Sequence, residues 1–198
     1  MSDTQAVVQQ QEMGRVRRVH FVGIGGAGMS GIARLVHQQG ATCTGSDQRE
    51  SEAVASLRQA GIPVTIGQSA DSLPSGAELL VVSAAIKDDH PEVVEARRRG
   101  VECIKYAAML GRLMSGHLGV AVAGTHGKST TTSMLCHVLI EAGLDPSFIV
   151  GAQCQQIGGG ARCGGQHVNA GRNNAENHRN GILVAEACEY DRSFHQLQ

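Results

Sequence analysis

The sequence predicts a two-domain α/β protein, a parallel, doubly wound sheet followed by a second, incomplete α/β domain. Three observations lead there. Short apolar runs alternate with segments whose apolar residues recur at helical spacing. Glycine is abundant at 26 residues while aromatics number only three Phe and two Tyr with no Trp, which suits tight βα turns better than an aromatic sandwich core. Finally, two glycine-rich loops each fall where a strand gives way to a helix.

Taken in order, residues 19–22 form an apolar run ending at Gly23 and read as a buried strand. After the glycine loop 23–28, Met29, Ile32, Ala33 and Val36 keep helical spacing until Gly40. Residues 41–44 are a second strand, followed by Gly45, Ser46 and Asp47. This βαβ unit has the size of a mononucleotide-binding half-fold. A helix over 51–60, with Val54 and Leu57 inward, leads to a short strand at 63–66 and a strongly apolar strand at 79–82. Pro91 and Gly100 mark the start and stop of the next helix. A strand at 101–104 and a short helix at 107–114 complete the first domain.

Ser115, Gly116 and His117 mark the junction, after which the pattern restarts: strand 118–123, a second glycine loop, helix 129–142 stopped by Gly143, and strand 147–150. Residues 158–180 are rich in Gly and Asn with few apolar residues and read as a long, mobile loop. Residues 182–185 resume as a strand ending in Glu186. The expected organisation is a disordered tail over 1–17, a first domain over 18–115 and the start of a second over 116–198, with too few strands there to close a full sheet.

Bulk properties narrow the class. A hydrophobic content of 41% over 198 residues suffices for a real core. A formal net charge of -1 argues against a nucleic-acid groove or an anionic membrane surface. The runs 15–18 and 97–99 read as solvated ends of elements, the second as the close of a helix, where cations suit the dipole. The six cysteines contain no CxxC pair, and Cys163 with His167 has no matching second pair, so reduced thiols are expected. Residues 1–14 are polar and Gln-rich without a signal-peptide core, and no run is long enough to span a bilayer, so a cytoplasmic protein is expected.

The first loop is Gly23-Ile24-Gly25-Gly26-Ala27-Gly28. Its glycines permit a tight turn, close approach of backbone to a pyrophosphate and close helix–strand packing, with the helix N-terminus facing the negative charge. Asp47, at the end of the next strand, lies near the distance expected of an acid that meets a ribose. NAD, FAD and UDP-sugars all satisfy this physics.

The second loop is Gly124-Thr125-His126-Gly127-Lys128-Ser129-Thr130, between an apolar strand and a helix. Neither Val122 nor Ala123 supplies the earlier glycine of the general P-loop pattern, so this is a shortened variant. Its backbone N–H groups cradle phosphates, Lys128 neutralises the β/γ charge, and the Ser129 hydroxyl binds Mg²⁺, which points to ATP. Glu186 ends the next apolar strand, where a carboxylate helps to hold Mg²⁺, with Glu189 and Asp191 as nearby alternatives. His126 either touches substrate or caps the turn. The remaining histidines form no ligand spacing.

Together these motifs resemble the Mur ligase family. The matching stretches are residues 20–31, Gly45-Ser46-Asp47 with Glu50 and Ser51, residues 82–86, residues 124–131, and residues 184–187 with Asp191, Ser193 and Phe194. The resemblance implies a Rossmann-like domain followed by a P-loop ATPase domain. The first loop (Gly23, Gly25, Gly26, Ala27, Gly28, Met29 and Ser30) would hold the pyrophosphate of a UDP-sugar, with Asp47 and Ser51 near the nucleoside. Lys128 would bind ATP phosphates, with Ser129 and Glu186 at Mg²⁺ and His126 beside the reacting groups. The implied reaction activates the lactyl carboxylate of UDP-N-acetylmuramate as an acyl phosphate, which the amine of L-alanine attacks. Gly28-Met29-Ser30 and His126 favour this activity. Addition of murein tripeptide to the same UDP-sugar is the alternative within the family.

The sequence departs from the family pattern at several points. Gln68 stands where a His is usual, Lys105-Tyr106 where Pro-Arg is usual, and Ser129 where Thr is commoner. Cys188, Tyr190 and Arg192 interrupt an acidic, serine-rich run. The family also has more of the central domain and a third domain that binds the amino acid, so this chain alone is expected to bind the UDP-sugar without completing ligation. Two readings compete: an NAD-dependent oxidoreductase using the first loop, and a non-catalytic nucleotide-binding module.

Overall fold

The computed structural model describes residues 17–165 and 181–187, which fall into two compact units, one up to Met109 and one from Leu110 onward. The tail expected over 1–17 lies almost wholly outside the described residues. So do residues 166–180, His167, Cys188, Glu189, Tyr190, Asp191, Arg192, Ser193 and Phe194.

The first unit is a five-stranded sheet of order β3-β2-β1-β4-β5, every pair parallel. Its strands are β1 (Arg18–Val22), β2 (Thr42–Asp47), β3 (Val64–Ile66), β4 (Leu79–Val82) and β5 (Glu102–Lys105). Helices α1 (Ala27–Gln38), α2 (Glu52–Gln59) and α3 (Pro91–Arg99) fill the connections, and α4 (Tyr106–Ser115) follows β5. The central strands are buried on both faces, which explains why β4 reads as an unbroken apolar run. Val22, Leu80 and Val82 pack against Val93 and Ala96 of α3. Burying α1 residues such as Ile32 and Val36 stabilises the fold by roughly 1.5–3 kcal/mol each.

Local signals end the helices where the sequence places them. Ser51 caps α2 by accepting the Val54 amide at 3.2 Å. Gly100, at φ +71°, provides the left-handed turn that closes α3. Arg97, Arg98 and Arg99 occupy the last turn of α3, as their cluster predicts, and Arg98 and Arg99 pair with Glu95 at 2.7 and 2.5 Å. Strand β2 ends in Gly45, Ser46 and Asp47, and β3, β5 and α4 differ from their expected bounds by one residue at one or both ends. Gly45 pairs with Phe21 and Val64 in the sheet, and Ile24 packs against it so closely that a Cβ there would meet Ile24 Cδ1 at 2.5 Å.

The second unit holds a four-stranded sheet of order β6-β9-β7-β8. Strands β6 (Leu118–Val122), β7 (Ser147–Ile149) and β9 (Ile182–Glu186) are parallel, and β8 (Ala161–Arg162) is antiparallel to β7. Helix α5 (Lys128–Glu141) follows β6. Phe148, Val150, Ile157, Ile182 and Val184 form its core with Cys136. Strand β8 lies inside the segment expected to be loop. Two residues are too few for a periodicity signal, and the pairing is set by the Val150 amide reaching Gly160 O at 2.7 Å. Among the described residues no helix is long and apolar enough to cross a membrane.

Candidate nucleotide-binding sites

In the first unit the chain leaves β1 and turns through Gly23, at φ +74°. The amides of Gly23 and Ile24 both donate to Ser46 O, at 2.9 and 3.1 Å, and the Gly25 amide donates to Asp47 Oδ2 at 2.8 Å. Three successive loop amides are thus tied to the end of β2. Gly25 is confined by this arrangement, since a Cβ there would lie 2.9 Å from Asp47 Oδ2 and 3.2 Å from Ser51 Oγ. Gly26 is the N-cap of α1. The amides of Ala27, Gly28 and Met29 begin the helix with no carbonyl one turn earlier inside it, and the helix dipole adds to their positive field. Ser30 closes the turn, its amide reaching Gly26 O at 2.8 Å and its hydroxyl Ala27 O at 3.0 Å.

The loop opens between β2 and β4, on either side of β1, where the strand order reverses and an open α/β sheet leaves a crevice at its C-terminal edge. Gly28 is required by a close approach: a Cβ would come within 2.7 Å of the Tyr106 hydroxyl. Met29 is buried and packs in the core. Asp47 and Ser51 both sit at Gly25, where the Ser51 hydroxyl is the α2 cap. The departures from the family pattern also find partners here, Gln68 Oε1 bonding His90 Nε2 at 3.2 Å and Lys105 Nζ donating to Ile86 O at 2.7 Å.

Sequence reasoning passed over one cluster. His20, Ser46 and Glu92 are almost fully buried and joined to Thr44. The available signal was a histidine inside an apolar strand and a glutamate in the first turn of a helix whose neighbours face the core.

In the second unit β6 leads into residues 123–127, with Gly124 at φ +153° and Gly127 at φ +76° as the N-cap of α5. Lys128 Nζ donates to Gly124 O at 2.5 Å, so the side chain folds over its own loop. Thr125, His126 and Thr130 are exposed, while Lys128 and Ser129 are half-buried. Strand β9 lies beside β6 with Glu186 opposite Val122, which brings the carboxylate to the start of α5. Ser129 Oγ donates to Glu186 Oε2 at 3.2 Å, and the Gly151 amide donates to Glu186 Oε1 at 2.9 Å. The hydroxyl and carboxylate are hard oxygen donors, the kind Mg²⁺ takes together with phosphate oxygens and water.

Among the described residues no cluster of three or more His, Cys, Asp or Glu side chains is arranged to hold a metal. Burial pushes the Cys43 thiol up to about 12 and that of Cys136 up to about 11, which makes both poor nucleophiles.

Fold and loops together define an α/β protein in which a Rossmann-like sheet precedes a sheet with a P-loop-like turn. The chain belongs to the Mur ligase family: residues 18–118 match the family described as Mur ligase family, catalytic domain. It is 45% identical over 182 residues to UDP-N-acetylmuramate–L-alanine ligase of Legionella pneumophila (strain Corby), covering 92% of this chain and 36% of that protein. The solved UDP-N-acetylmuramate–alanine ligase of Thermotoga maritima superposes with a TM-score of 0.70 at 33% identity, over 85% of this chain and 36% of that one. The UDP-N-acetylmuramate:L-alanyl-gamma-D-glutamyl-meso-diaminopimelate ligase of Neisseria meningitides gives 0.76 at 32% identity, over 89% and 54%. The chain thus spans about a third of the length of the curated relatives it matches.

Proposed function

We propose that this chain supplies the UDP-sugar-binding domain and the start of the ATP-binding domain of a cytoplasmic, ATP-dependent ligase that joins L-alanine to UDP-N-acetylmuramate. The observation that carries the ligase reading is the Ser129–Glu186 pair at the head of the P-loop helix, beside Lys128. A hydride-transfer enzyme has no use for such a pair. The names of relatives at 45% identity support the choice of substrates.

A carboxylate is a poor electrophile until one of its oxygens becomes a leaving group. Transfer of the ATP γ-phosphoryl group to the lactyl carboxylate provides that leaving group. Donor and acceptor are both anionic, so their approach requires neutralisation and in-line alignment. Lys128 neutralises phosphate charge, the amides of 124–128 and the start of α5 cradle the phosphates, and Ser129 with Glu186 would hold Mg²⁺, which screens the phosphate oxygens when bound. His126 is exposed at the loop and would be open to contact with substrate. On the first unit, Gly26, Ala27, Gly28 and Met29 receive the pyrophosphate of the UDP-sugar, with Asp47 and Ser51 toward the nucleoside. The likeness to the Neisseria structure favours a second reading, in which the acceptor amine belongs to a murein tripeptide and the UDP-sugar site is the same.

Thermal unfolding of the chain with UDP-N-acetylmuramate, Mg-ATP or NAD tests the proposal. A ligand that binds only the folded state raises the midpoint by mass action. Shifts with the first two and none with NAD are expected. A shift with NAD alone would replace the ligase reading by an oxidoreductase.

A further inference from the structure

The first unit contains a buried polar network that touches the glycine loop from behind. Glu92 reaches in from the first turn of α3, and both its oxygens are engaged: Oε1 accepts the Ser46 hydroxyl at 2.6 Å and Oε2 lies 2.8 Å from His20 Nε2. His20 Nδ1 lies 2.7 Å from Thr44 Oγ1. With the imidazole proton on Nε2, the ring donates to Glu92 and accepts from the Thr44 hydroxyl, so every polar atom of the chain of contacts is paired. Ser46 and Glu92 have no exposed surface and His20 has 1%.

Burying such a set costs desolvation, and well-packed apolar residues of the same volume would commonly serve stability as well or better. What the polar set adds is direction: a fully satisfied network holds its members in one arrangement. The network holds the Ser46 side chain through Glu92, and the Ser46 carbonyl accepts the amides of both Gly23 and Ile24. The next residue, Asp47, holds Gly25. Contacts therefore run without interruption from α3, through β2, to the turn that aims the first amides of α1.

We propose that His20, Ser46 and Glu92 are positioning residues that hold the glycine loop in the register presenting the Ala27–Met29 amides to a UDP-sugar pyrophosphate. This inference rests on the reading of the first loop as the UDP-sugar site.

The test uses Ser46→Ala and Glu92→Gln in the full chain. Calorimetric titration with UDP-N-acetylmuramate, and separately with Mg-ATP, is paired with amide hydrogen exchange at Gly23 and Ile24. In Ser46→Ala the UDP-sugar affinity is expected to fall by about fivefold, the equivalent of one net hydrogen bond, with Mg-ATP affinity unchanged. Exchange at Gly23 and Ile24 should rise more than in β4. Should Glu92→Gln fail to fold, Ser46→Ala, which removes a single hydroxyl, decides alone. A parent that binds while folded Ser46→Ala binds equally well overturns this inference and leaves the proposed function standing. Exchange that rises evenly across the sheet, with both affinities unmoved, reduces the network to stability and also overturns it. A parent that does not bind the UDP-sugar removes the proposed function and this inference together.

Discussion

Ser129 Oγ donates to Glu186 Oε2 at 3.2 Å although 57 positions separate the two residues. The contact exists because β9 pairs with β6 in parallel register and sets Glu186 opposite Val122, the last residue of β6. If this pair is the Mg²⁺ site, Glu186→Gln should weaken Mg-ATP binding by at least about tenfold, because a neutral amide gives up the charge-assisted contact. Ser129→Ala should act in the same direction, and Ser129→Thr should retain binding. Calorimetry at fixed Mg²⁺ checks all three.

Lys128 Nζ lies against the carbonyls of Gly124 and Thr125. Lys128→Met should abolish the thermal shift produced by Mg-ATP and leave that of UDP-N-acetylmuramate in place. Loss of both shifts would show that the substitution damages folding.

Gly28→Ala places a Cβ 2.7 Å from the Tyr106 hydroxyl, in a packed region where neighbours must move. Overpacking of this kind costs about 1–3 kcal/mol. Lowered stability and loss of UDP-N-acetylmuramate binding are expected, and Tyr106→Leu in the same chain, which removes the hydroxyl and the two ring carbons at 2.8 Å, should restore part of both. Denaturant unfolding and titration together measure the effect.

Ser51 caps α2, so Ser51→Ala should cost about 1 kcal/mol, read as a fall of about 4–8 °C in the midpoint for a unit of this size. Ser51→Asp keeps an acceptor at the cap and should recover most of it. A further loss of UDP-sugar affinity in Ser51→Ala, beyond the stability change, would mark the hydroxyl as a ligand contact as well.

His117 is buried, and desolvation holds its imidazole below the ordinary value of 6.5, against the opposing contact with the Leu113 carbonyl at 2.7 Å. The unfolded chain therefore binds the proton more readily. Stability present above pH 6.5 should be lost as the pH falls below that value toward the folded-state pKa. His117→Gln should flatten the pH dependence of the unfolding midpoint between pH 7 and 5.

Much of this was legible in the residues themselves. Pro91, Gly100, Ser51 and the arginines at 97–99 act through local backbone and cap chemistry, which neighbours in sequence suffice to define. The two glycine loops were readable for the same reason, since a turn between strand and helix is a local event. Strand β8 was not readable, because two residues carry no periodicity and its pairing with β7 is a tertiary fact.

The sequence by itself determined the alternation of strands and helices, the parallel character of the first sheet, and the residues at both loops, because binary patterning and glycine conformational freedom are properties of short stretches. Only the tertiary structure decided which distant groups meet. It placed Glu186 beside Ser129, tied the Gly25 amide to Asp47, and enclosed His20, Ser46 and Glu92 in one network. Strand order and register bring such groups within hydrogen-bond distance, and both are set by the burial of whole faces, which no local window of sequence contains.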